Sequence, residues 1–159
     1  MIDPVSLQMI RDVVTIFGVI AGLSYYVTNI RNQKKARQLQ ALSNVFSRGP
    51  TNFKFLEMEL HDYEEFRLKH FVENDQDSVS FRQWWDIQEE LGVYVKEGLL
   101  DVRPIYLYMS GTITKAWEKN VDFIVEHRKR SDWPRYLIES EYLYNKIIEY
   151  AEEHPELKS

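Results

Sequence analysis

At 159 residues, with 14% aromatic and 28% charged residues, the chain has the make-up of one folded domain plus an appendage. Its net charge of −5 disfavours a nucleic-acid partner, and four Trp and ten Tyr argue against disorder. The absence of cysteine excludes thiolate catalysis, disulfides and Cys-ligated metal sites.

The first predicted element is a long helix. Asp3 suits an N-cap with Pro4 at the first helical position, and the next strong breaker is Gly49-Pro50. A helix over about 4–48 is roughly 65 Å long. Within it, Val13 to Ile30 carries no charge and spans roughly 27 Å, close to the ~30 Å thickness of a hydrocarbon core. We therefore expect a transmembrane segment at about 12–30 that continues as a juxtamembrane stalk, with residues 1–48 forming the first domain. The segment lacks a basic n-region and a small-x-small cleavage site, so a retained anchor is expected rather than a cleaved signal peptide.

Flanking charge sets the expected orientation. Arg31, Lys34, Lys35 and Arg37 follow the apolar run with no acid before Glu57, which predicts a single-pass protein of the cell membrane with its N-terminus outside and its C-terminal side cytoplasmic. The same four cations are the expected headgroup contacts, with membrane lipid as partner, at about 1 kcal/mol each near an anionic surface. Tyr25 and Tyr26 lie near that basic end, where amphipathic rings suit the interface.

Placed at 100° per residue, the segment divides into two faces. Val13, Ile16, Val19, Ile20, Leu23, Val27 and Ile30 form an aliphatic side; Arg11, Thr15, Gly18, Gly22, Tyr25 and Asn29 form a small and polar stripe. Asn32, Ala36, Leu39, Ser43 and Phe46 continue the stripe's heptad register. In lipid, helices associate where small residues let backbones approach and polar groups find partners. The stripe from Arg11 to Asn32 predicts a homo-oligomer with a dry helix seam and an interaction or scaffold role at the membrane. The alternative is a small homo-oligomeric ion channel in which Thr15, Gly18, Gly22, Tyr25 and Asn29 line the pore.

Residues 51–155 read as a cytoplasmic bundle of about four helices. In NFKFLEMELHDYEEFRLKHFVEN, Phe53, Leu56, Leu60, Tyr63 and Phe71 recur at helical spacing, and ENDQDSVS reads as the closing loop. The next helix takes Ser80 as cap, buries Trp84, Leu91 and Val95, and stops at Gly98. Asp101 with Pro104 starts another, with Ile105, Tyr108, Ile113, Trp117 and Ile124 inward and a kink expected at Gly111. Asp132 is the expected cap of the last helix, with Leu137, Tyr144, Ile147 and Ile148 inward. The expected fold class is all-α, and a cytoplasmic protein partner for the bundle is a third functional possibility.

Little in the bundle suggests chemistry. His61 with Glu57 and Glu64, and His70 with Glu73, have carboxylate–histidine spacing, but surface charge pairing is the reading we adopt, and His127 and His154 read as solvated. Glu89-Glu90 and Glu139/Glu141 read as acids on solvated faces, and at most three of the four tryptophans need burial. There is no phosphate-binding glycine loop, no G-x-S-x-G elbow and no dinucleotide fingerprint. No enzymatic activity, cofactor or metal is expected.

The stretch LGVYVKEGLLDVRPIYLYMSGTITKAWEK, followed by a basic segment and WPRYLIESEYL, and preceded by FGVIAGLSYYVTNIRNQKKARQ, resembles small, uncharacterised prokaryotic one-pass membrane proteins that share a domain of unknown function. The resemblance implies the same layout and carries no activity or functional residues.

Overall fold

The computed structural model describes residues 4–50 and 53–157. These residues are all-α, with a long apolar helix followed by a helical bundle and no strands among them. The elements are α1 (Pro4–Phe46), α2 (Tyr63–Arg67), α3 (Gln76–Lys96), α4 (Val102–Arg130) and α5 (Ile138–Glu153), with single 3-10 turns at Lys54–Leu56 and Pro155–Leu157. The proposed Asp3 cap lies outside the described residues. The chain separates into two compact units, Met1–Gln40 and Ala41–Ser159.

In the first unit, α1 runs unbroken, with no proline after Pro4 to interrupt its hydrogen bonds. In the second, the end of α1 joins the core: Leu42 and Val45 are buried and Phe46 packs against the core while Ser43 is exposed, so of the last two positions of the heptad extension only Phe46 is used here. Beyond the helix, Arg48 grips Glu90 of α3 with one guanidinium nitrogen at 2.7 and 2.8 Å from the two carboxylate oxygens.

Residues 53–73 do not form the single helix that their spacing suggests. A 3-10 turn is followed by irregular chain, and α2 starts afresh at Asp62, whose carboxylate accepts from the Glu65 N–H at 2.9 Å. Glu65 in turn accepts from the His61 N–H at 2.8 Å, so the start is fastened from both sides. The helix then widens into a π-turn, Leu68–Val72. The inward residues are Phe55, Tyr63, Phe66 and His70; Phe53 and Phe71 stay partly exposed.

α3 begins five residues earlier than a Ser80 cap requires. Asp75 accepts from Asp77 N–H and Ser78 N–H and from the Ser78 hydroxyl, which holds its carboxyl far below the usual carboxylate range, while Ser80 is buried inside the helix. The helix stops at Gly98, whose φ of 67° is the left-handed conformation a Schellman ending needs. Gly98 N–H donates to Val95 O at 3.1 Å and Leu99 N–H to Tyr94 O at 2.9 Å.

In α4, capped by Asp101, the backbone departs from helix at Met109 rather than at Gly111. Tyr108 beside it is 77% exposed, not inward, and its ring lies 5.4 Å from that of Phe46. α5 begins at Ile138, not after Asp132, because Asp132 and Leu137 both adopt positive φ and hold the intervening chain in turns. α3 packs most closely on α5, with α4 alongside. Trp84, Trp85 and Trp117 are buried in the resulting core, whereas Trp133 is 52% exposed.

Candidate membrane-spanning face and interior polar clusters

α1 is the one described helix long and apolar enough to cross a membrane, and none of that apolar window is buried within the chain. The aliphatic side, Val13, Ile16, Val19, Ile20, Leu23, Val27 and Ile30, is exposed along its whole length. Arg11, Thr15, Gly18, Gly22, Tyr25, Asn29 and Asn32 are exposed too, and one continuous helix places them in the register that their spacing requires. A Cβ at Gly18 or Gly22 would meet nothing within 4 Å, so these glycines relieve no crowding inside the chain.

Two sets of contacts satisfy polar groups in and beside α1's uncharged run. The Thr15 hydroxyl donates to Arg11 O and the Thr28 hydroxyl to Ser24 O, each at 2.8 Å, which leaves neither donor in need of an outside partner. Arg11 and Asp12 form an ion pair at 3.6 Å just ahead of the uncharged run. Arg31, Lys34, Lys35 and Arg37 are all exposed after it.

The bundle interior holds what the sequence reading missed. His70 and His127 are buried rather than solvated. The Tyr63 hydroxyl and His127 Nδ1 are hydrogen-bonded at 2.9 Å, as are the Tyr136 hydroxyl and His70 Nε2. Burial, then the nearby Arg82, push the His70 imidazole down to about 3; burial lowers His127 as well. Burial likewise raises the Tyr136 phenol. A signal was present: His127 continues the 4,3,4,3 spacing of Ile113, Trp117, Asn120 and Ile124, and His70 that of Tyr63 and Phe66.

A second cluster joins α3 to α5. Leu137, at the N-cap position of α5, offers no side-chain acceptor; instead the Glu89 carboxylate accepts from Glu139 N–H at 3.1 Å and Ser140 N–H at 3.0 Å. Lys96 Nζ reaches the Glu139 carboxylate at 2.9 and 3.0 Å. Glu89 and Glu139 are thus structural, not solvated acids. Burial pushes the Glu89 carboxyl up, against these hydrogen bonds. His61 remains exposed, and among the described residues no three His, Asp or Glu side chains gather to hold a metal ion.

An exposed membrane-length helix followed by an all-α bundle defines the class of protein. Residues 12–147 match the family described as Domain of unknown function (DUF4760), and the chain belongs to that family. No curated protein and no solved structure matches it.

Proposed function

We propose that the chain is a non-catalytic, membrane-anchored protein that self-associates through the Thr15 to Asn29 stripe and presents its bundle, on the cytoplasmic side, as an interaction or scaffold module. The observation that carries this reading is the exposure of α1 on every side over its apolar window. A core helix of a soluble domain buries its apolar stripe; α1 buries none there, so lipid or other helices are its natural surround. Gly18 and Gly22 with open space above them support close backbone approach by a second helix. The internal bond of Thr15 fits a dry seam, since it leaves that hydroxyl with no need of water. The exposed Arg31, Lys34, Lys35 and Arg37 support the cytoplasmic placement and contact with anionic headgroups.

The test is the protein mass in detergent, corrected for bound detergent, for the native chain and for Gly18→Ile/Gly22→Ile. A dimer or trimer that the double substitution reduces to monomer is expected. A monomeric native chain, or an oligomer indifferent to the substitutions, rejects the seam; a ring of five or more chains favours the channel.

A further inference from the structure

The two tyrosine–histidine pairs do more than fill space. Tyr63 and His70 lie on α2 and the π-turn, while their partners His127 and Tyr136 lie on the last turn of α4 and the turn before α5. Each pair therefore ties residues 63–72 to the α4–α5 corner, and the two ties run in opposite senses, one imidazole on each side. Phe71 sits between them, its ring 4.6 Å from His70 and 4.7 Å from His127. Tyr136 closes the cluster at 4.6 Å from His127.

The His70 site accepts a neutral imidazole only. His70 is 8% exposed, and its Nδ1 has no hydrogen-bond partner. An imidazolium carries N–H on both ring nitrogens, so protonated His70 would direct a buried, charged donor at Nδ1 towards no acceptor. The same is true whichever neutral tautomer is present, because Tyr136 serves Nε2 alone. The surrounding charges offer no relief. From α3, Arg82 donates to Glu73 O at 2.6 Å and disfavours a second positive charge at His70. From α4, Arg128 donates to Tyr136 O at 2.7 Å, and Arg130 lies 4.4 Å over the Tyr63 ring. The nearby acids are engaged elsewhere or bonded to neither ring: Glu73 and Asp75 with Lys69, Glu64 with Arg67, Glu141 with Arg128, and Glu89 with α5; the imidazoles bond to the tyrosines and not to Asp86.

We propose that residues 63–72 are an acid-released latch, held against the α4–α5 corner by two neutral histidines and freed when those histidines take up protons. The proposal stands independently of the membrane reading. Its sign follows from linkage. A histidine whose folded pKa is depressed supports the closed state fully above its unfolded value of about 6.5 and loses that support as pH falls. From pH 8 to pH 5, His70 alone raises the open population roughly thirtyfold, and His127, which burial also lowers, acts in the same direction. The short length of α2 and its irregular neighbours suit a segment that opens by itself.

The test is amide hydrogen exchange on the full chain in detergent, expressed as protection relative to unstructured peptide at each pH. Protection of 63–72 is expected to fall at least tenfold from pH 8 to pH 5 while residues 84–91 of α3 keep theirs. H70Q/H127Q keeps a neutral hydrogen-bonding group at each site and is expected to show no such pH dependence. Unchanged protection of 63–72, simultaneous loss at 84–91, or the same loss in the double variant overturns the latch. Should that variant fail to fold, NMR titration of the native imidazoles decides: titration near pH 6.5 with 63–72 still protected overturns it, and neutral rings in the closed state down to pH 5 support it.

Discussion

A Cβ on Gly92 would lie 2.1 Å from the carbonyl oxygen of Glu139, closer than any two such atoms can approach. α3 and α5 therefore meet backbone to backbone at this point, and the Glu89 cap one turn earlier depends on that approach. Gly92→Ala should push the helices apart. The gain in helix propensity, about 1 kcal/mol, is outweighed by overpacking against rigid backbone, so a net loss of about 2 kcal/mol is expected. Thermal unfolding checks this, and an unchanged or raised Tm would show that the helices part at no cost.

Removing the cap itself gives a second prediction. Glu89→Ala leaves the first N–H groups of α5 without their acceptor and is expected to cost about 1–2 kcal/mol. Glu89→Gln keeps an acceptor but cannot titrate. Because burial raises the folded pKa of Glu89, its contribution to stability is greatest at low pH and declines as pH rises through the folded value. Stability of the Gln variant should consequently decline less than the native chain's as pH rises from 4 to 7. Parallel profiles from denaturant titrations would assign the pH dependence to other groups.

The tryptophans should separate sharply. Trp84→Ala or Trp85→Ala empties a filled part of the core and is expected to cost about 3–5 kcal/mol, whereas Trp133→Ala should stay within about 0.5 kcal/mol. Urea midpoints at constant slope measure both. A large loss from Trp133 would mean that its exposed ring is covered in the working protein.

Orientation is open to a direct test. Changing Arg31, Lys34, Lys35 and Arg37 together to Glu removes the excess of cations after the apolar run and should invert or scramble insertion. Accessibility of a C-terminal tag in sealed cells reads this out: the native tag should be protected and the variant's tag exposed. A native tag exposed to the medium would reverse the proposed topology.

Asn29→Asp distinguishes the alternative role of the stripe. If the stripe faces water, a ring of carboxylates raises cation conductance in bilayers; if it is a dry seam, the buried charge instead weakens association. Loss of oligomer without conductance is the expected outcome.

What the sequence displays well is local. The uncharged run from Val13 to Ile30, the Asp101 start and the Gly98 stop each depend on residues within one or two turns. The Ser80 misplacement arose among neighbours equally able to cap: Asp75 prevails because Ser78 supplies it with both an N–H and a hydroxyl. Helical spacing persists across the break before Asp62, since apolar residues can keep helical intervals on either side of non-helical chain. His127 sits in the basic run HRKRS and reads as solvated by composition, although its helix phase turns it inward. The Glu89 cap, linking positions 50 residues apart, leaves no local trace at all.

The burial of Leu42 and Val45 has a practical corollary for anyone preparing the bundle on its own. A fragment begun after the Gly49-Pro50 breaker, where composition invites the cut, would discard two core side chains together with Arg48 and its hold on Glu90. Begun at or before Ala41, the start of the second compact unit, the fragment retains them and gives the bundle its full complement of packing.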